Sequence, residues 1–499
     1  MAYDTISQAN KEAYKDFFMI SNSVLSKIPS NNHFLDYYMK DNFHGEHSFF
    51  VIGYRLFLYF IKSFTYFAMY LFKFIEYAMA SFRPCLRSDS DELILIDVPF
   101  LSENICKTGN FHDPFFPGME DILIKNGKNY AYLPYFYSST YNRKPLELLR
   151  VFKVLKKEKV KVITEYQILS ARDLLKVVFF IATYPLHVFR FSRTLSNGEG
   201  AVKALKYELL NTIDQVTFYN YVRYLVGRKI ADMPYRKIKV FSWYENQSLH
   251  KNLYKGLRSS ISKKVTIYGA QLFLGPKRLL SLIPDENESV FGILPDKVIV
   301  NGSYYIPQRT SLAYEVGPSL RYSGIFDVDI KKESRKEILI LLPYLVEEAR
   351  NILRVLLASK FVSRNIFVKP HPATPLKSIR HLIPPNAVIV EKTVYQLFEI
   401  AKILISSASG SMIEAATLGI PVISINKKGC FEWSNPFPEY GKGIVWETAV
   451  SAEDLDCKIE QFERKLQESP EEINAVAARY KEMLFSRPTE ESIVKTFDL

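Results

Sequence analysis

The chain has 499 residues, 48% of them hydrophobic and 24% charged, with 20 Gly and 25 Pro; this excludes a disordered chain, a collagen and a low-complexity repeat, and points to two or three domains. Lys and Arg outnumber Asp and Glu by 65 to 53, and the resulting +12 charge favours phosphate-bearing substrates or an acidic membrane surface. The basic residues form no block, which argues against a nucleic-acid partner, and Cys85, Cys106, Cys430 and Cys457 form no CxxC pair that would suggest zinc or a disulfide framework.

Residues 1–90 read as a helical, aromatic-rich extension without the apolar core of a signal peptide. Within residues 48–82 the longest uncharged run, Ser63 to Phe72, falls far short of the ~18–20 residues that span a bilayer. At 100° per residue, Lys62, Lys73 and Glu76 all fall within about 60° of Arg55, with Tyr59, Tyr66, Tyr70 and Tyr77 flanking them. The spacing predicts a helix, or two, with one narrow polar seam on an apolar cylinder. Such a helix is either buried on most sides by protein or lies at a membrane surface. Val177 to Phe189 is a second apolar stretch, interrupted by Pro185 and also too short to span, so no transmembrane helix is expected.

From Glu92 the pattern alternates between short apolar runs and helical spacing. Strands are predicted at 93–100, 130–135, 238–245, 263–271 and 296–303, and helices at 146–158, 172–184 and around 200–227. The stretch 303–337 has no strong period and reads as a connection. A cleaner alternation follows, with strands at 337–343, 365–372, 386–391, 401–407 and 419–425 and helices between them, before charged helices from Ala452 onward. The expected fold class is therefore α/β: two Rossmann-like domains facing a cleft, at 91–318 and 319–499.

The chemistry-bearing residues cluster in the second half. The run IFVKPHP ends a predicted strand in Lys369-Pro-His371-Pro, and ligands of open α/β sheets bind beyond the carboxyl ends of strands. Some 35 residues on, a strand enters a turn with Ser406, Ser407, Ser409, Gly410 and Ser411, then a helix carrying Glu414. That turn offers N–H groups and hydroxyls to a phosphate, and Glu414 is placed to accept from ribose or base; plain helix capping is the simpler role for these serines.

KPHP followed by S-S-x-S-G-S-x-x-E-A-x-x-x-G-I-P-V resembles the nucleotide-binding half of GT-B glycosyltransferases, most closely the bacterial CMP-sugar-dependent sialyl- and Kdo transferases of capsule and lipopolysaccharide synthesis. The resemblance implies that His371, Ser406, Ser407, Ser409 and Ser411 hold the CMP moiety. A similar pattern occurs in CDP-glycerol-dependent glycerophosphotransferases, so the donor stays open. In the first half, FSWYENQSLHKNLYKGLR (241–258) is similar to surface-carbohydrate proteins related to retaining Kdo transferases. Glu245 at that strand end is the candidate base or nucleophile, or else a helix cap, with Asn246 and Gln247 holding the turn. Glu165 is the candidate second carboxylate, with Asp97 behind it; two carboxylates across the cleft would allow double displacement and one would suffice for inversion. Gln271 and Asn301-Gly302 are expected to line the cleft, and Arg321, in the connection, to clamp a carboxylate.

The DxD patterns at Asp89–Asp91 and Asp327–Asp329 lack a preceding buried strand, so neither a metal nor a cofactor is expected, the CMP-sugar being a substrate. No GxGxxG follows a strand, and neither GxxxxGK[ST] nor HExxH occurs. The expected partners are a nucleotide-sugar donor, a saccharide or lipid-linked acceptor, and the cytoplasmic face of the inner membrane through residues 48–82. A UDP-sugar 2-epimerase-type isomerase and a non-catalytic scaffold are the other readings.

Overall fold

The computed structural model describes residues 49–82, 90–137, 146–195, 201–260, 264–277, 282–308, 310–328, 335–371, 376–407, 409–427 and 435–499. Residues 1–48, Cys85, Asp89, Asp329, Ala408 and Cys430 lie outside the described residues.

Among the described residues, two six-stranded sheets organise the fold. The first contains β1 (Glu92–Asp97), β3 (Tyr130–Tyr132), β5 (Lys237–Trp243), β6 (Lys264–Gln271), β7 (Lys297–Val300) and β8 (Tyr314–Val316), in the order β3-β1-β5-β6-β7-β8 and parallel throughout. β2 (Pro99–Leu101) and β4 (Tyr135–Tyr137) pair beside it. β8 lies inside the stretch expected to be a plain connection; its three residues are too few to show a period. The second sheet contains β9 (Glu337–Leu341), β10 (Ile366–Lys369), β11 (Val388–Ile389), β12 (Ala401–Ser406), β13 (Val422–Ile425) and β14 (Trp446–Ala449). Its order, β11-β10-β9-β12-β13-β14, is the 3-2-1-4-5-6 order of a doubly wound Rossmann sheet. β14 was absent from the expected elements, because WETA carries no apolar run.

The continuous apolar runs reflect sheets covered on both faces. In β9, Ile338 and Ile340 enter one core while Leu339 and Leu341 enter the opposite one, the period of two that strand geometry imposes. In the first half, the Phe218–Ala231 and Ser248–Leu257 helices pack so closely that a Cβ on Gly256 would strike the Tyr224 carbonyl. Only glycine permits that approach.

The chain crosses between halves twice, and the crossings bond to each other: Ser319 N–H donates to the Ser486 carbonyl at 2.9 Å, and Ser486 N–H to Ser319 Oγ at 3.0 Å. The expected second domain, 319–499, did not anticipate the return. The Glu490–Thr496 helix lies against the first half, where Lys125 pairs with Glu490 at 2.7 Å and the Phe497 ring packs 4.7 Å from that of Phe241.

The predicted 48–82 helix is one 32-residue element, Phe49–Ala80. The Val177 to Phe189 stretch, expected to be too short to span, belongs to a 24-residue helix, Ala171–Thr194, which is long and apolar enough to cross a membrane by length and composition. Ser170 and Asp173 cap its start, and the helix continues through Pro185 to Thr194; its Val177, Ile181, Tyr184, Val188 and Phe191 are buried.

Candidate active site

In each sheet the strand order reverses at one point, between β1 and β5 in the first and between β9 and β12 in the second, and the crevice beyond the carboxyl ends there is where such sheets hold ligands. Glu245 follows β5; His371 follows β10; the serine turn follows β12.

Arg321 brings these pieces together. Its guanidinium carbon lies 5.7 Å from the centre of the Phe115 ring and 5.7 Å from that of Trp243, both in the first half. Its charge also acts on His371 and Glu414 of the second half. Although buried walls flank it, Arg321 itself stays exposed. Cation–π contact with two rings positions the guanidinium while the side chain stays exposed.

On the second-half side, His371 keeps an exposed surface, and its imidazole lies edge-on to Tyr344 with centroids 6.1 Å apart. Partial burial of the ring, then the Arg321 and Lys369 charges, hold its pKa below the usual histidine value. It is therefore a neutral hydrogen-bonding group at neutral pH. The Lys369 ammonium donates to the Lys392 carbonyl at 2.7 Å, and burial lowers its pKa. Glu414 is buried and accepts from the Tyr395 hydroxyl at 2.6 Å. Burial raises its pKa, against the lowering effects of Tyr395 and Arg321.

The serines divide by depth. Ser406 is fully buried and its Oγ donates to the Leu341 carbonyl at 2.7 Å, tying β12 to β9. Ser407 donates to Glu348 at 3.2 Å. These two are occupied structurally, contrary to the expectation that they hold a nucleotide. Ser409, Gly410 and Ser411 are half-buried, Ser411 N–H donating to Ser409 Oγ at 3.3 Å. The helix behind them has only seven residues. A Cβ on Gly410 would meet Leu274 of the first half at 3.4 Å, so the turn faces that half.

On the first-half side, Glu245 is partly exposed and both its oxygens have donors: Trp243 Nε1 at 2.9 Å and Gln247 Nε2 at 2.8 Å. The same indole thus carries Arg321 on its face and Glu245 at its edge. Glu245 does not cap the next helix; Gln247 N–H donates to His250 Nδ1 at 3.3 Å there. That acceptor role requires a neutral imidazole, and burial pushes His250 down to about 4. Asn246, at φ 53°, accepts from the Tyr244 hydroxyl at 2.7 Å and donates to the Ile283 carbonyl at 3.2 Å, so it fixes the turn and leaves the groove to its neighbours. Gln271 donates to the Leu282 carbonyl at 2.5 Å and lines a cavity of about 330 Å³ with Phe273, Lys277, Tyr305 and Tyr314. Asn301 is fully buried and donates to the Phe273 carbonyl at 3.3 Å.

Two candidate acids lie in the interior. Glu165 is enclosed and accepts from the Tyr219 hydroxyl at 2.8 Å, and burial raises its pKa. This corrects the expectation of a cleft carboxylate: the Glu165–Ile168 helix tucks beneath the aromatic face of the Phe49–Ala80 helix, with Tyr166 5.8 Å from Tyr70. Asp97 is buried between Arg223 at 2.5 Å and Ser242 at 2.7 Å. The sequence reading missed the Phe115 and Trp243 walls and the Tyr395 partner of Glu414. Trp243 stood two residues before Glu245, but nothing local signals what an indole face will meet.

No protein-family model matches the chain, and no curated protein matches it. Among solved structures, the chain is similar to MurG of Acinetobacter baumannii (10% identity, TM-score 0.40, covering 82% of this chain and 98% of that one). It is also similar to UDP-GlcNAc 2-epimerase of Neisseria meningitidis bound to UDP-GlcNAc (14%, 0.42, 81% and 99%) and to the glycosyltransferase SnogD of Streptomyces nogalater (12%, 0.41, 81% and 99%). The two-domain Rossmann-like architecture rests on strand order and register in this chain, not on these distant likenesses.

Proposed function

We propose that the chain is a GT-B glycosyltransferase that moves an ulosonic acid, Kdo or a sialic-acid-like sugar, from a CMP-sugar to a saccharide or lipid-linked acceptor in capsule or lipopolysaccharide assembly. The observation that carries this reading is the convergence on Arg321: one exposed guanidinium, stacked on the Trp243 face, whose charge reaches His371 and Glu414. A CMP-ulosonic acid carries two anions, a phosphodiester and a sugar carboxylate, and a guanidinium fork matches either one bidentately. In this reading His371, neutral and open, donates to a phosphate oxygen, with Ser409 and Ser411 beside it. As the glycosidic C–O bond opens, its electron pair stays with the CMP phosphate, where these donors stabilise the growing charge. With Glu165 enclosed, Glu245 is the carboxylate we assign as general base, taking the hydroxyl proton as that oxygen bonds to the anomeric carbon. Its two donors orient the carboxylate for that step. The enzyme would work at the cytoplasmic face of the inner membrane, in contact through residues 48–82.

Isothermal titration with CMP, CDP and UDP at one salt concentration tests the donor class. CMP binding at least tenfold tighter than UDP is the expected result. Preference for UDP would favour a 2-epimerase-type isomerase, preference for CDP with glycerol transfer a glycerophosphotransferase, and no binding a scaffold.

A further inference from the structure

We infer that the outward faces of the Phe49–Ala80 and Ala171–Thr194 helices form one docking surface for an anionic lipid bilayer. The inference deepens the reading above, on which it rests for placing an enzyme at a membrane, by naming the surface and the lipid chemistry. A helix on a water-soluble body ordinarily turns its apolar stripe inward and its charges outward. The Phe49–Ala80 helix is apolar on both sides, with Tyr59, Phe67 and Tyr70 buried against the body. Its Lys73–Glu76 ion pair faces the body, buried, at 2.7 Å, and Glu76 also accepts from Leu149 N–H at 3.0 Å. Outward stand Phe57, Ile61, Phe64, Phe72, Ile75 and Met79, each between 42% and 61% exposed. At 100° per residue these six share an arc of about 80°. At 1.5 Å per residue they form a straight strip about 33 Å long.

The second helix continues this strip. It packs beside the first, where the Tyr59 hydroxyl donates to the Ile181 carbonyl at 3.0 Å and Leu56 and Phe189 line one groove. Its Leu175, Phe179 and Leu186 are 69% to 70% exposed and fall within an arc of about 40°. An apolar area of this extent on two adjacent helices exceeds the scattered apolar residues of an ordinary surface.

Charge selects the occupant. Among the described residues of the two helices, the exposed charged side chains are Arg55, Lys62, Arg172, Arg190 and Arg193, all basic; Arg172, Arg190 and Arg193 lie within about 20° of the second strip, whereas Arg55 and Lys62 lie on the seam away from the first. The two acids, Glu76 and Asp173, are buried in ion pairs. Arg172 and Arg193 close the two ends of the second strip, where their long stems can lie along hydrocarbon while the guanidinium reaches headgroups. Two such faces from two copies would oppose like charges, whereas an anionic headgroup layer over an acyl interior complements both the basic residues and the strip.

Flotation of the full chain with phosphatidylglycerol/phosphatidylcholine vesicles, against phosphatidylcholine alone, tests the inference. The mixed vesicles should bind at least tenfold more tightly, and 0.5 M salt should remove most of that difference. Phe57→Ser/Phe64→Ser/Phe72→Ser and, separately, Leu175→Ser/Phe179→Ser should each lower partitioning at least tenfold, with thermal midpoint and CMP affinity unchanged. Arg190→Gln/Arg193→Gln should weaken binding to the anionic vesicles only. Absence of wild-type binding, or variants that bind as wild type, would overturn the inference. So would a wild-type dimer that these variants convert to monomer without vesicle binding, which would assign the face to a second copy. If vesicles bind but CMP does not, the glycosyltransferase reading fails and the surface stands.

Discussion

Replacing Arg321 is the most direct test of the proposed site. The exposed guanidinium stacks on two rings at 5.7 Å, and each such contact is worth about 0.5–1 kcal/mol at an exposed position, so the fold should lose little. Hydrogen bonds from a charged donor to a phosphate contribute about 1.5–3 kcal/mol. Arg321→Ala should therefore weaken CMP binding by about 10- to 150-fold. Arg321→Lys keeps the charge but loses the planar fork and most of the stacking, so it should fall between wild type and the alanine variant. A second readout follows from His371. Burial and then the Arg321 charge depress its pKa, so the alanine variant should move the imidazole part of the way back toward its ordinary value. Calorimetry with CMP measures the first effect, and an NMR pH titration of His371 the second. If Arg321→Ala binds CMP within twofold of wild type and the His371 titration does not move, the convergence has no functional meaning.

Four further outcomes are expected. His371→Ala should weaken CMP binding at least tenfold, about 1.4 kcal/mol, by calorimetry; unchanged affinity would remove His371 from the site. Glu245→Gln should abolish sugar transfer, followed by mass detection of product, while CMP affinity stays within twofold; a turnover like that of wild type would exclude Glu245 as the base. Gly256→Ala should gain up to about 1 kcal/mol of helix propensity but lose about 1–3 kcal/mol to the Tyr224 carbonyl and to Arg228 N at 2.9 Å, so a urea melt should show net destabilisation. Buried His250, at about 4 in the fold against an ordinary 6.5, contributes stability that is fully present above pH 6.5 and lost as pH falls toward 4. About 2 kcal/mol of it should be gone by pH 5, so wild type should lose more stability between pH 7 and 5 than His250→Asn; parallel loss would refute the assignment.

The strands of the second half were legible because sheets covered on both faces demand unbroken apolar runs, and ILILL, IFVK and AKILIS supply them. The edge strands β8 and β14 were not, since three or four residues of mixed polarity carry no readable period. Among the site residues, those whose position follows from a strand end were predictable as to place. His371 and Glu245 both emerge where β10 and β5 run out.

Depth and partnership were not predictable. Ser406 and Ser409 belong to one motif, yet one bonds β9 in the core and the other is half-buried in the turn, because the chain leaves the strand between them. Glu165 and Glu245 both follow a strand-like run and precede a helix, and the aromatic helix together with Tyr219 of the Phe218–Ala231 helix removes the first from solvent. The local order of residues sets which segments pleat or coil and which strand ends carry chemistry, since those depend on neighbours a few positions away. Which face of the long N-terminal helix turns outward, and that Arg321 stacks on Trp243 while its charge reaches His371, depends on contacts between residues tens to hundreds of positions apart. Packing alone decides those.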